Sequence, residues 1–139
     1  MGRLLVGVFA DNLGLGVNQG IAKAAELGAD GIQLYTTAGA MLPENLTAEG
    51  RRELRSRIAG LGLTLSATCA DFGHGLVDEA RNRVLLPQIE ANIDLAVDLG
   101  TSIITTHIGV VPKQRENPVW SVLVHALNRI GTYAQDRGV

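Results

Sequence analysis

Apolar residues follow two alternating rhythms along this chain. Short, nearly unbroken runs at residues 4–10, 31–35, 63–69 and 102–106 separate longer stretches in which apolar positions recur every three or four residues. An unbroken run fits a strand covered on both faces, as a parallel sheet requires. The longer rhythm fits a helix with one buried stripe. The first helical stretch sets Ile21, Ala24, Ala25 and Leu27 on one side, with Asn18 as its expected N-cap. The second, capped by Thr47, buries Leu54, Ile58 and Leu61 and leaves Arg51, Arg52, Glu53, Arg55 and Arg57 as a solvated face. The third resumes near Val77, with Pro87 marking its start or a kink, and turns Ile89, Ile93, Ala96 and Val97 inward. The fourth opens on Asn117-Pro118, an N-cap followed by proline at the first helical position. Its apolar face is Val119, Val122, Leu123, Ala126, Leu127 and Ile130.

Glycines at 28, 62, 100 and 138 close these helices, 34, 38 and 38 residues apart. Strand first and helix second, at a near-constant period, is the signature of repeated βα units. Four units are visible, and Val139 stands where a fifth strand would begin. The expected fold is α/β, of the (β/α)8 TIM-barrel type with about four βα units present. Residues 1–139 are read as a single domain forming half a barrel. An open, flavodoxin-like sheet is the alternative, but Gly14 and Gly16 form only a G-x-G, without a glycine-rich turn opening into a helix.

Composition narrows the setting. With 46% hydrophobic and 19% charged residues the chain is globular rather than disordered. A single cysteine, Cys69, leaves no internal disulfide and suits a reducing cytoplasm, the expected location. A net charge of −2 without basic clusters argues against nucleic acid. No apolar run approaches the roughly 20 residues that span a bilayer, so no membrane partner is expected.

Parallel strands deliver their carboxyl ends to one face, where α/β proteins hold their chemistry. That face would gather Phe9 and Asp11, Gln33 and Tyr35, Cys69 and Asp71 with His74 nearby, and His107. His107 is the strongest candidate, because imidazole can ligate a divalent metal, carry a proton or donate to a hydroxyl. Gln33 and Tyr35 suit a polyol, since neutral donors and acceptors meet hydroxyls without stranding a charge. Asp71 either binds substrate or turns the chain as an Asx motif. His74, between two glycines, belongs either to a loop over the site or to plain exposed loop. Cys69 has no thiolate-stabilising neighbour in sequence and is expected as a small buried hydrophobe, and His125 as a structural or exposed helix residue. Neither H-E-x-x-H nor G-x-S-x-G occurs.

Three phrases carry a resemblance: Ala25-Glu26-Leu27-Gly28-Ala29-Asp30-Gly31-Ile32-Gln33-Leu34, Asp94-Leu95-Ala96-Val97-Asp98-Leu99-Gly100 and Ile104-Thr105-Thr106-His107-Ile108-Gly109. With these the chain resembles the xylose isomerase-like TIM-barrel superfamily of sugar isomerases, sugar epimerases and endonuclease IV-type AP endonucleases. The resemblance covers essentially the whole chain but half of the family's barrel. It implies a sugar or sugar-phosphate isomerase or epimerase, with a divalent metal (Mn, Mg, Co or Zn) assisting proton transfer next to a carbonyl in the complete barrel. Substrate-side residues from this half would be His107, Gln33, Tyr35, His74 and Asp71. His107 matches the histidine after strand four, a metal ligand in the endonucleases and often a substrate-side residue in the sugar enzymes. Most metal ligands and two proton-moving carboxylates are implied on later strands, the first glutamate on a fifth strand beyond Val139. Gln33 stands where a glutamate is common, which removes an acid there. The 139-residue chain alone is therefore expected to be inactive. Two rival readings remain: a non-catalytic half barrel that self-associates into a homodimer or larger through its open sheet edges, and an AP endonuclease-like DNA repair enzyme.

Overall fold

The computed structural model describes residues 2–139. Strands β1 (Gly7–Phe9), β2 (Gly31–Tyr35), β3 (Thr64–Cys69) and β4 (Ile104–Thr105) alternate with helices α1 (Val17–Glu26), α2 (Ala48–Gly60), α3 (Glu79–Leu99) and α4 (Pro118–Arg137). Every pairing is parallel, and the sheet order is β1-β2-β3-β4. A doubly wound sheet must reverse its order at a switch point. This one follows the chain without reversal, as the wall of a barrel does.

Because strand side chains alternate, the register sets Phe9, Gln33, Tyr35, Ala67, Cys69 and Thr105 on one face. On the other face Ile32, Leu34 and Leu65 enter a core with Ile21 and Ala24 of α1, Leu54 and Ile58 of α2, and Leu95 and Leu99 of α3. A second core joins Leu85, Leu86, Ile89 and Ile93 of α3 to Leu123, Ala126 and Ile130 of α4, with Leu76 from the preceding loop. Helix α3 therefore belongs to both cores. It is tied to α4 by the Glu90–Arg129 pair and by Asp94, which pairs with Arg137 and accepts from the Tyr133 hydroxyl at 2.8 Å. That hydrogen bond to a carboxylate raises the pKa of Tyr133 above its ordinary value.

Several expectations need correction. Strand β1 starts at Gly7, not at Leu4, because Leu4 and Leu5 lie exposed beyond the pairing. Val6, just before the paired strand, is tied to Asp30, just before β2: its carbonyl accepts from the Asp30 N–H and its N–H donates to the Asp30 carboxylate, each at 2.8 Å. Nor is this run covered on both faces, since Val8 packs on the first core while Gly7 is exposed. Strand β4 is shorter than residues 102–106, having a neighbour on one side only. Helix α1 begins at Val17 with Gly16 as N-cap, in place of Asn18; its φ of 74° is a turn that a side chain resists. Pro87 lies inside the 21-residue α3. Leu27 and Leu61 occupy C-cap positions and are exposed, and Val97 points away beside the buried Ala96. Among the described residues no helix is long and apolar enough to cross a membrane.

Candidate functional site

Where each strand's ladder ends, a polar side chain ties it to its neighbour. Asp11 accepts from the Tyr35 N–H at 3.0 Å, the Thr36 hydroxyl donates to the Cys69 carbonyl at 3.1 Å, and the Thr106 hydroxyl donates to the Ala70 carbonyl at 3.0 Å. These side-chain contacts continue the tie between strands where the ladder ends, and they hold the rim in place. The Asp11 carboxylate is thereby given to structure.

On the open face, Gln33 Nε2 donates to Thr105 Oγ1 at 2.7 Å. The bridge runs from β2 to β4 across β3, whose inner residues there, Ala67 and Cys69, are small and buried. The Gln33 amide oxygen has no partner among the described residues. Beside it the rings of Phe9 and Tyr35 stack, 5.0 Å between centroids and 26° between planes. An apolar ring surface next to an uncharged amide and hydroxyl suits a ligand with C–H faces and many hydroxyls.

Two loops cross at the carboxyl ends of β3 and β4. The Leu76 N–H donates to the Ile108 carbonyl at 2.9 Å, and Gly75 lies against Gly109 so closely that a Cβ on Gly75 would stand 2.8 Å from the Gly109 nitrogen. His74 and His107 flank this crossing. The exposed His107 ring makes no hydrogen bond among the described residues. His74 Nδ1 meets Arg81 Nη1 at the start of α3. Asp71 Oδ1 accepts from the Gly73 N–H at 2.8 Å, so of its two readings the Asx turn is realised. His125 is exposed on α4, beside a groove of about 490 Å³ between α3 and α4, away from the strand ends.

The candidates thus fall into two groups, Gln33 with Tyr35 on the inner face and His74 with His107 at the loop crossing. Thr105, Thr36, Thr106 and Arg81 were not picked out by sequence. The residues gathered here do not by themselves complete a divalent-cation site, which takes at least three protein ligands for zinc. Asp11 and Asp71 are engaged by backbone, His74 Nδ1 by Arg81, and His107 is left as a single donor. Among the described residues no group of three or more His, Cys, Asp or Glu side chains converges.

A family model described as xylose isomerase-like TIM barrel matches residues 21–139. No curated protein matches the chain. Among solved structures it is similar to a xylose isomerase domain protein from Planctomyces limnophilus, with a TM-score of 0.80 and 24% identity over 96% of this chain and 51% of that one. A D-tagatose 3-epimerase-like protein gives 0.75 and 18%, over 98% and 51%. A D-psicose 3-epimerase solved in the presence of D-fructose gives 0.73 and 17%, over 98% and 50%. The likeness establishes a shared fold, and the chain spans about half the length of these structures.

Proposed function

The chain belongs to the xylose isomerase-like TIM barrel family, and on that premise we propose that it is the substrate-side half of a sugar or sugar-phosphate isomerase or epimerase. The observation that carries this reading is the Gln33–Thr105 bridge beside the Phe9–Tyr35 stack, an uncharged face at the carboxyl ends of the strands. The sugar-directed names of the neighbouring epimerases support it. The role of this half is to orient. Gln33 offers its free amide oxygen to a substrate hydroxyl, the stacked rings meet a C–H face, and His107 reaches the substrate from the rim. Because the residues here do not assemble a metal site, no step of the reaction is routed through a metal on this chain.

Titrating the chain with D-fructose and following the Gln33 side-chain amide, Tyr35 and His107 by NMR tests the proposal. Those resonances should move together and saturate. Gln33→Ala should weaken binding about three- to tenfold, the worth of one neutral hydrogen bond. Absence of any response in the parent chain would refute the assignment, and so would a variant that binds equally well.

A second reading is favoured by the two sheet edges, each paired on one side only. Leu4 and Leu5 beside β1 and Val110 just past β4 are 88%, 78% and 85% exposed. In this reading the chain is a non-catalytic module whose occupant is a second copy. Two copies carry the strand number of one barrel, and a two-fold axis along the barrel would set β4 of each against β1 of the other, all parallel. Sedimentation at micromolar concentration should then give a homodimer, and a monodisperse monomer would sink this reading.

A further inference from the structure

We infer that Arg81 fixes His74 in its Nε2–H tautomer and so makes it a hydrogen-bond donor at the loop crossing rather than a metal ligand. The inference rests on the sugar reading only for what His74 donates to. Arg81 stands in the first turn of α3, where its backbone N–H donates to the Asp78 carboxylate at 3.1 Å, so the helix cap anchors its main chain. Its side chain reaches back seven residues to His74 Nδ1. A guanidinium carries donors only, so the ring nitrogen facing it is the acceptor. In a neutral imidazole the proton then sits on Nε2. With Nδ1 occupied and Nε2 protonated, the ring has no lone pair for a cation. It has one N–H, which matches a hydroxyl or carbonyl oxygen. The segment bearing the ring is held on its other side by the Leu76–Ile108 hydrogen bond and the Gly75–Gly109 contact. Arg81 thus acts on a substrate through His74, as a positioning residue.

Long-range proton–nitrogen correlation of the histidine rings in the full chain reads the tautomer directly, at about two pH units above the ordinary histidine pKa of about 6.5. His74 should show one protonated nitrogen, Nε2, and one bare nitrogen, Nδ1. Arg81→Met should release part of the population to the Nδ1–H form and move both His74 nitrogen shifts toward intermediate values, with His107, His125 and the far-UV dichroism unchanged. Arg81→Lys, which still donates, should recover part of the parent signature. Intermediate shifts for His74 in the parent chain would overturn the inference, as would an Arg81→Met spectrum identical to the parent's. Adding D-fructose should move the Nε2–H resonance. A fixed tautomer that D-fructose leaves in place would sink the sugar reading while the Arg81 assignment stands.

Discussion

Alanine at position 75 should cost about 1 to 3 kcal/mol of stability and part the two loops that carry His74 and His107. The added methyl has no room, since its nearest neighbours are backbone atoms of residues 108 and 109, which cannot rotate aside as a side chain can. Gly109 itself holds a φ of 89°, and a Cβ on it would meet the Val77 side chain at 3.1 Å. The strain can relax only by lengthening the Leu76–Ile108 hydrogen bond, which would draw the fully buried Leu76 from the second core. Urea unfolding measures the cost, and the backbone resonances of residues 74–76 and 107–109 should shift together. Gly131→Ala, mid-helix with nothing near the new methyl, should leave stability unchanged or higher. If Gly75→Ala and Gly131→Ala unfold at the same midpoint, the crossing is looser than the contact implies.

Leu95→Ala should cost more, about 2 to 5 kcal/mol, by opening a cavity in the first core. Leu95 is wholly buried there with Leu99, and the same helix supplies Ile89 and Ile93 to the second core. Against a total stability of about 5 to 15 kcal/mol for a domain, that loss is a large fraction. Because α3 is shared, the damage should not stay local. Trp120, the one tryptophan, lies in the first turn of α4, the helix that supplies Leu123, Ala126 and Ile130 to the second core, and its fluorescence should melt at the same lowered midpoint as the helical dichroism. Val84→Ala, on an exposed position of the same helix, should change stability by no more than about 0.5 kcal/mol. Two separate transitions in the Leu95 variant would show that the two cores are independent.

The repeat and its punctuation were legible because capping chemistry is local. Thr47 and Asn117 cap their helices as their positions predict, accepting from the Gly50 and Val119 N–H groups, and Gly28, Gly62, Gly100 and Gly138 all take positive φ. Strand ends were less legible, since an apolar run does not reveal where its partner stops. That is why residues 4–6 and 102–103 look like strand and are not. The site divides the same way. The alternation of residues along β2 places Gln33 and Tyr35 on one face, which a sequence reader can count. Their neighbours depend on the register across three strands, including a shift between Ile32 and Gln33, so Thr105 could not be seen as Gln33's partner. The Arg81–His74 contact depends on how a glycine-flanked loop folds back on a helix start, which no periodicity encodes.

The unreversed strand order has a consequence for synthesis. Gly7 pairs with Gly31, Gly31 with Thr64, and Thr68 with Ile104, so each strand needs only the one made just before it. Within these four units each strand finds its template already laid down as the chain emerges from the ribosome. Packing lags behind pairing, however. The first layer of helices is complete only when Leu95 and Leu99 have emerged, long after β1 and β2 have met. Until then β1, β2 and β3 are paired but unroofed, and that interval is when a chaperone would have most to hold.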